Sequence, residues 1–141
     1  MSCSETYDAA RRPPAPKVRA ELENPVTGRK LSAILYFDTG FDGTLLLTSD
    51  LWEELELGLV EVDEEVYALH GGCLPVRLTP ALARVSICGV WRGLVKAYLH
   101  PLARRALLGR EIANELYAYL AGPEKRLSLS RSPVESGAHS V

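Results

Sequence analysis

Asp38-Thr39-Gly40 lies between two apolar runs, Ile34-Leu35-Tyr36-Phe37 and Leu45-Leu46-Leu47. An acid on a tight turn between two strands sits on a rigid base with its carboxylate at the surface. Gly40 lets backbone approach closely and leaves its N–H free to donate to a carboxylate. Thr39 can pack its methyl group and turn its hydroxyl to a neighbouring backbone. A lone carboxylate of ordinary acidity is a poor general base. Two carboxylates about 3 Å apart cannot both ionise, so they share one proton and titrate as a unit. One then takes a proton from water while the other donates to a carbonyl oxygen, and an amide is hydrolysed without a covalent intermediate. The chain has a single Asp-Thr-Gly turn. This chemistry therefore calls for a second copy, and a homodimer is expected.

Competing chemistries find little support. His70, His100 and His139 are dispersed, with no acidic partner at ligand spacing, so no metal site is expected and no cofactor is called for. No Gly-x-Ser-x-Gly run or Cys–His arrangement offers another nucleophile. Asp42 reads as a turn residue, His70 as a solvated loop histidine, His100 as a strand-end residue, and Glu53, Glu54, Glu56, Glu64 and Glu65 as solvated charges. Trp52 and Trp91 read as packing residues rather than a pocket lining. Cys3, Cys73 and Cys88 are too few for a disulfide framework. Cys73 and Cys88 pair only if their strands are neighbours, and two buried thiols are the expected state. The chain has no Gln, and Asn only at 24 and 114, a shortage of thermolabile amides that hyperthermophiles share.

The elements that must position Asp38 are mostly strands. Residues 17–23 alternate strictly, with Val18, Ala20 and Leu22 on one face, and residues 31–37 form a second, more apolar strand after the turn Asn24-Pro25-Val26-Thr27-Gly28. This hairpin delivers the chain to Asp38. Residues 44–47 resume a strand, and a short helix over 51–57, capped by Ser49 or Asp50, is expected to end at a left-handed Gly58. Residues 59–69 and 73–78 form a second hairpin with His70-Gly71-Gly72 at its tip. Residues 81–87 and 91–99 pair across Cys88-Gly89-Val90. Ala106-Leu107-Leu108 is a brief strand, followed by Gly109 and a helix over about 110–120 whose stripe is Ile112, Leu116 and Tyr119. Residues 126–130 alternate as a last edge strand. Short strands with turn signals every eight to twelve residues indicate a closed or sandwiched β fold.

These features together resemble the retropepsin-like aspartic proteases, the single-lobed, dimeric relatives of pepsin, and most of all their small archaeal and bacterial branch. The resemblance covers roughly residues 17–130 and rests on three features in order: Phe37-Asp38-Thr39-Gly40, the hairpin at His70-Gly71-Gly72, and Ala106-Leu107-Leu108-Gly109-Arg110-Glu111. It implies that Asp38, Thr39 and Gly40 form the catalytic turn and that His70, Gly71 and Gly72 form a substrate-binding flap. It also implies that the 106–111 junction underlies the catalytic turn. Phe41 stands where many members carry Ser or Ala, although Phe is typical of the prokaryotic branch. Chain ends interleave between subunits in such dimers, which is one reading of residues 126–130. A disordered tail is the other.

At 141 residues the chain is one domain, able to bury a core unaided. A net charge of -2 gives no reason to expect nucleic acid or anionic lipid as a partner. No apolar run approaches the roughly 20 residues that span a bilayer, and Met1-Ser2-Cys3-Ser4-Glu5 lacks the order of a secretory signal, so a cytoplasmic protein is expected. The expected organisation is a flexible arm over 1–16, the protease domain over 17–130 and a disordered tail over 131–141. The expected fold is mainly β: a retropepsin-like closed barrel with a short helix and one C-terminal helix, homodimeric. The expected function is an aspartic endopeptidase acting on peptides or proteins. Its rival is a dimeric peptide-binding or scaffolding module with the same groove and little or no catalysis.

Overall fold

The computed structural model describes residues 2–70 and 74–133. Strands β2 (Lys17–Glu23) and β3 (Lys30–Phe37) form the expected hairpin, with Val18, Ala20 and Leu22 turned inward and at most 2% exposed. They begin a barrel completed by β4 (Leu45–Leu47), β6 (Leu74–Ile87), β7 (Trp91–Leu99) and β8 (Ala106–Leu108). The order is β2-β3-β8-β4-β7-β6, and the pairing of β6 with β2, from Ala20↔Ile87 to Glu23↔Arg84, closes the ring. Leu22, Leu35, Leu45, Leu47, Ile87 and Leu108 fill it and are completely buried. β5 (Val66–His70) pairs with the first residues of β6. The stretch expected as two strands, 73–78 and 81–87, is therefore one long strand shared between the hairpin and the barrel.

The placement of β8 matters most for Asp38. It lies between β3 and β4, parallel to the first and antiparallel to the second, although β3 and β4 are joined directly by the Asp38 loop. The loop must arch over the end of β8, and the Asp38 N–H donates to the Leu108 carbonyl at 3.0 Å.

Several expectations need correction. The first helix, α1, runs over Ser49–Glu54 and is capped by the Thr48 side chain, not by Ser49 or Asp50. The left-handed residue after it is Glu56 (φ 56°), while Gly58 lies inside a 3-10 turn, Leu57–Val60. Asn24 helps to hold that corner, its buried amide donating to the carbonyls of Leu55 and Glu56, each at 3.0 Å. The C-terminal helix is a single turn, α2 (Arg110–Ala113), and residues 117–121 form a strand, β9 (Tyr117–Ala121). Ile112, Leu116 and Tyr119 share helical spacing, but the Tyr-rich segment pairs with β10 (Arg126–Ser130), whose Leu127 and Leu129 are buried. Aromatic residues beside a tight turn suit a hairpin better than a second helical turn.

The N-terminal arm is also structured. Residues 2–6 form β1 (Ser2–Thr6), antiparallel to β10, so the order of the small second sheet is β1-β10-β9. Residues 126–130 are thus a central strand of the chain's own sheet, not an edge.

Cys88 bonds to Cys3 across 85 residues of sequence, which corrects the expectation of free thiols; Cys73 lies outside the described residues. Strand alternation in 73–88 could not reveal this partner, because β1 comes from the far end of the chain. Such bonds belong to oxidising compartments and to hyperthermophile interiors. Cys3→Ser is expected to lower stability by about 2–4 kcal/mol, because the cross-link restricts the unfolded chain. Calorimetry with and without a dithiol reductant checks this. Identical melting curves would show that the bond contributes nothing.

Candidate active site

The loop from Asp38 to Thr44 is fastened from below by the start of α2. Gly109 N–H donates to the Thr44 carbonyl at 2.7 Å, Arg110 N–H to Phe41 at 2.7 Å, and Glu111 N–H to Gly43 at 3.1 Å. Thr44 is buried, and its hydroxyl donates to the Lys96 carbonyl of β7. Two elements that neighbour the loop in space thus hold it at both levels.

Close packing explains the glycines. A Cβ on Gly109 would lie 2.1 Å from the Gly43 carbonyl oxygen and 2.7 Å from the Phe41 ring, and one on Gly43 would lie 2.7 Å from the same ring. Phe41 lies flat against both glycines, so the aromatic residue after the turn has a structural role. Its ring closes the space between the loop and α2.

Asp38 itself is half-buried, and its Oδ1 accepts the Gly40 N–H at 2.8 Å. The glycine N–H therefore orients the carboxylate, and this is the sole hydrogen bond to that carboxylate among the described residues. Thr39 and Asp42 are exposed on the same loop.

A groove of about 950 Å³ runs past Asp38. Its floor includes Leu46, Leu107 and Tyr98, which occupy one row across β4, β8 and β7. β5 contributes Val66, Tyr67, Ala68 and Leu69 to the same groove. Of the expected flap residues, His70 ends β5, whereas Gly71 and Gly72 lie outside the described residues.

Sequence reading missed Tyr98, His100 and Glu111, which also line the groove. Burial pushes the Tyr98 phenol up, with Lys96 pulling the other way and the Glu64 carboxylate adding to the rise. His100 is buried, and its Nδ1 accepts the Leu102 N–H at 3.0 Å. The alternation of β7, with Ala97 inward, carried a signal for Tyr98. Nothing local marked His100 as a groove residue, and Glu111 stood in the 106–111 motif only as part of the junction beneath the turn. Both tryptophans are core residues, and Trp91 donates from Nε1 to Glu115 at 3.0 Å. No cluster of three or more His, Cys, Asp or Glu among the described residues is arranged to hold a metal ion. No helix among them is long and apolar enough to cross a membrane.

Comparison with solved structures finds a similar fold in the crystal structure of a retropepsin-like aspartic protease from Rickettsia conorii. The TM-score is 0.61 at 14% identity, covering 92% of this chain and 90% of that one. No protein-family model matches the chain, and no curated protein matches it. The fold is thus a retropepsin-like barrel, shared across a wide sequence distance.

Proposed function

We propose that the chain is an aspartic endopeptidase whose active unit is a homodimer, with Asp38 of each copy facing the other across a two-fold axis. The observation that carries this reading is Asp38 itself. It stands on a loop clamped by α2, beside a groove large enough for an extended peptide, in a fold shared with a retropepsin-like aspartic protease. One Asp38 carboxylate removes a proton from water as the water oxygen bonds to the peptide carbonyl carbon. The other, protonated, donates to the carbonyl oxygen. The tetrahedral diol then collapses, the C–N bond breaks, and the amine nitrogen takes up a proton. Thr39, exposed beside Asp38, locks the two turns together. The β5 hairpin serves as the flap that the resemblance assigned to His70, Gly71 and Gly72, and the substrate backbone adds to it as a strand.

A second copy has a suitable edge to use. β9 is one of the two edges of the small sheet, uncharged along its length, with Tyr117 49%, Tyr119 56% and Leu120 49% exposed. Antiparallel pairing of two copies about Tyr119 sets Tyr117 opposite Ala121 and Ala118 opposite Leu120, so large residues meet small ones. Such an edge lacks the Lys, Pro or bulge by which monomers protect themselves.

Two measurements test the dimer. Tyr119→Lys places like charges opposite each other and is expected to shift sedimentation from dimer toward monomer, with cleavage lost in proportion. Wild type mixed with excess Asp38→Asn is expected to lose activity per wild-type chain, because mixed dimers hold half a dyad. Activity that tracks wild-type protein linearly, whatever the excess, would rule out a shared site.

A further inference from the structure

The row of residues that floors the groove continues beyond Leu107, its last lining member. Cross-strand partners on neighbouring strands face the same side of a sheet, and the row Tyr98, Leu46, Leu107 continues by register to Tyr36 on β3. Tyr36 is the second-last residue of β3 and precedes Asp38, just past the strand's end, by two residues, a span of about 6.6 Å for fully extended chain. Two guanidinium groups cover the Tyr36 ring: Arg105, from the segment leading into β8, at 5.0 Å from its centre, and Arg11, from the N-terminal segment, at 5.2 Å.

The two arginines differ in their compensation. Asp8 lies 3.8 Å from Arg11, accepts the Tyr36 hydroxyl, and also accepts the Ala10 N–H at 2.9 Å. Asp8 thus balances Arg11. Arg105 is exposed and has no carboxylate partner among the described residues, and exposed Arg104 beside it adds to the positive field. On the α2 side of the groove the lining residues include Asp42 and Glu111. Positive charge therefore gathers at Tyr36, just beyond the lining residues on the β3 side of Asp38, while the lining toward α2 is acidic.

We propose that Tyr36 and Arg105 form a specificity subsite beside Asp38 that takes an acidic side chain, Asp or Glu, of the bound peptide. The inference rests on the peptide-groove reading above. The ring holds the guanidinium plane in place by cation–π contact, and the free edge of the fork offers paired N–H donors to a carboxylate. Asp42 and Glu111, toward α2 in the same copy, disfavour the same side chain there.

The test uses peptides that differ only in Glu, Gln or Lys at each position in turn. Binding is read by fluorescence anisotropy on Asp38→Asn protein, which cannot turn them over, and cleavage is read separately on wild type. At one position the Glu peptide is expected to bind roughly tenfold or more tightly than its Gln counterpart, the scale of a charged hydrogen bond. Arg105→Ala in that background should erase the difference, and Arg105→Glu should invert it in favour of Lys. Equal binding of the Glu and Gln peptides, or a Glu preference that survives Arg105→Ala, would overturn the subsite. Selective Glu binding without cleavage of any peptide by wild type would uphold the subsite and refute the protease reading.

Discussion

Asp38→Asn is expected to lower kcat/KM on a denatured protein substrate by a factor on the order of 10⁴ or more, the scale at which members of one catalytic unit fail together. The substitution removes the proton-accepting carboxylate and keeps its shape. The Asn carbonyl still accepts the Gly40 N–H that now reaches Asp38 Oδ1 at 2.8 Å, so the turn survives. Stability should therefore stay within about 0.5 kcal/mol of wild type, as for other half-exposed changes that preserve contacts. Sedimentation should report the same assembly for both proteins. Wild-type cleavage at mildly acidic pH should also be blocked by a pepstatin-type mimic of the tetrahedral intermediate. Two outcomes would sink the assignment. If variant and wild type cleave equally, the chemistry lies elsewhere. If neither cleaves but both bind peptide, the chain is the binding module set out as the rival reading.

The second large effect is expected at Gly109→Ala, a change of one methyl group. Backbone angles at Gly109 (φ -89°, ψ 175°) are open to any residue, so the penalty is purely one of space. The new Cβ would lie 2.1 Å from the Gly43 carbonyl oxygen, which is backbone and accepts the Glu111 N–H. It would also press on the Phe41 ring at 2.7 Å. The loop must lift from α2, stretching the three hydrogen bonds that clamp it. Overpacking of this kind costs about 1–3 kcal/mol, visible as a lowered melting temperature. Activity should fall further than stability suggests, since a displacement of about 1 Å at a reacting group costs on the order of 10²-fold. Gly122→Ala is the control, because a Cβ there meets nothing within 4 Å. Wild-type melting and activity in Gly109→Ala would show that the clamp does not position Asp38.

Much of the barrel was legible in the chain itself. The alternation of residues 17–23 declared which face of β2 is buried, and Val18, Ala20 and Leu22 obey it. The glycine turn after Phe37 marked where an acid could be displayed, and Leu107-Leu108-Gly109 marked the element beneath it. These are local signals, carried by side-chain period and turn chemistry within a few residues. What only the tertiary structure decided is which distant segments meet. Alternation tells a strand its inner face but never its neighbour. The sequence therefore could not announce that Cys3 reaches Cys88, that residues 2–6 lie along 126–130, or that Asn24 ties a hairpin to the end of α1. The same limit hid the groove. Tyr98 and His100 come from the end of β7 and Glu111 from α2, and Tyr36 gains its two arginines from segments on either side of it in the chain. Ile112, Leu116 and Tyr119 kept helical spacing, yet pairing with β10 claimed the last of them, because a strand with a buried partner outweighs a weak local period.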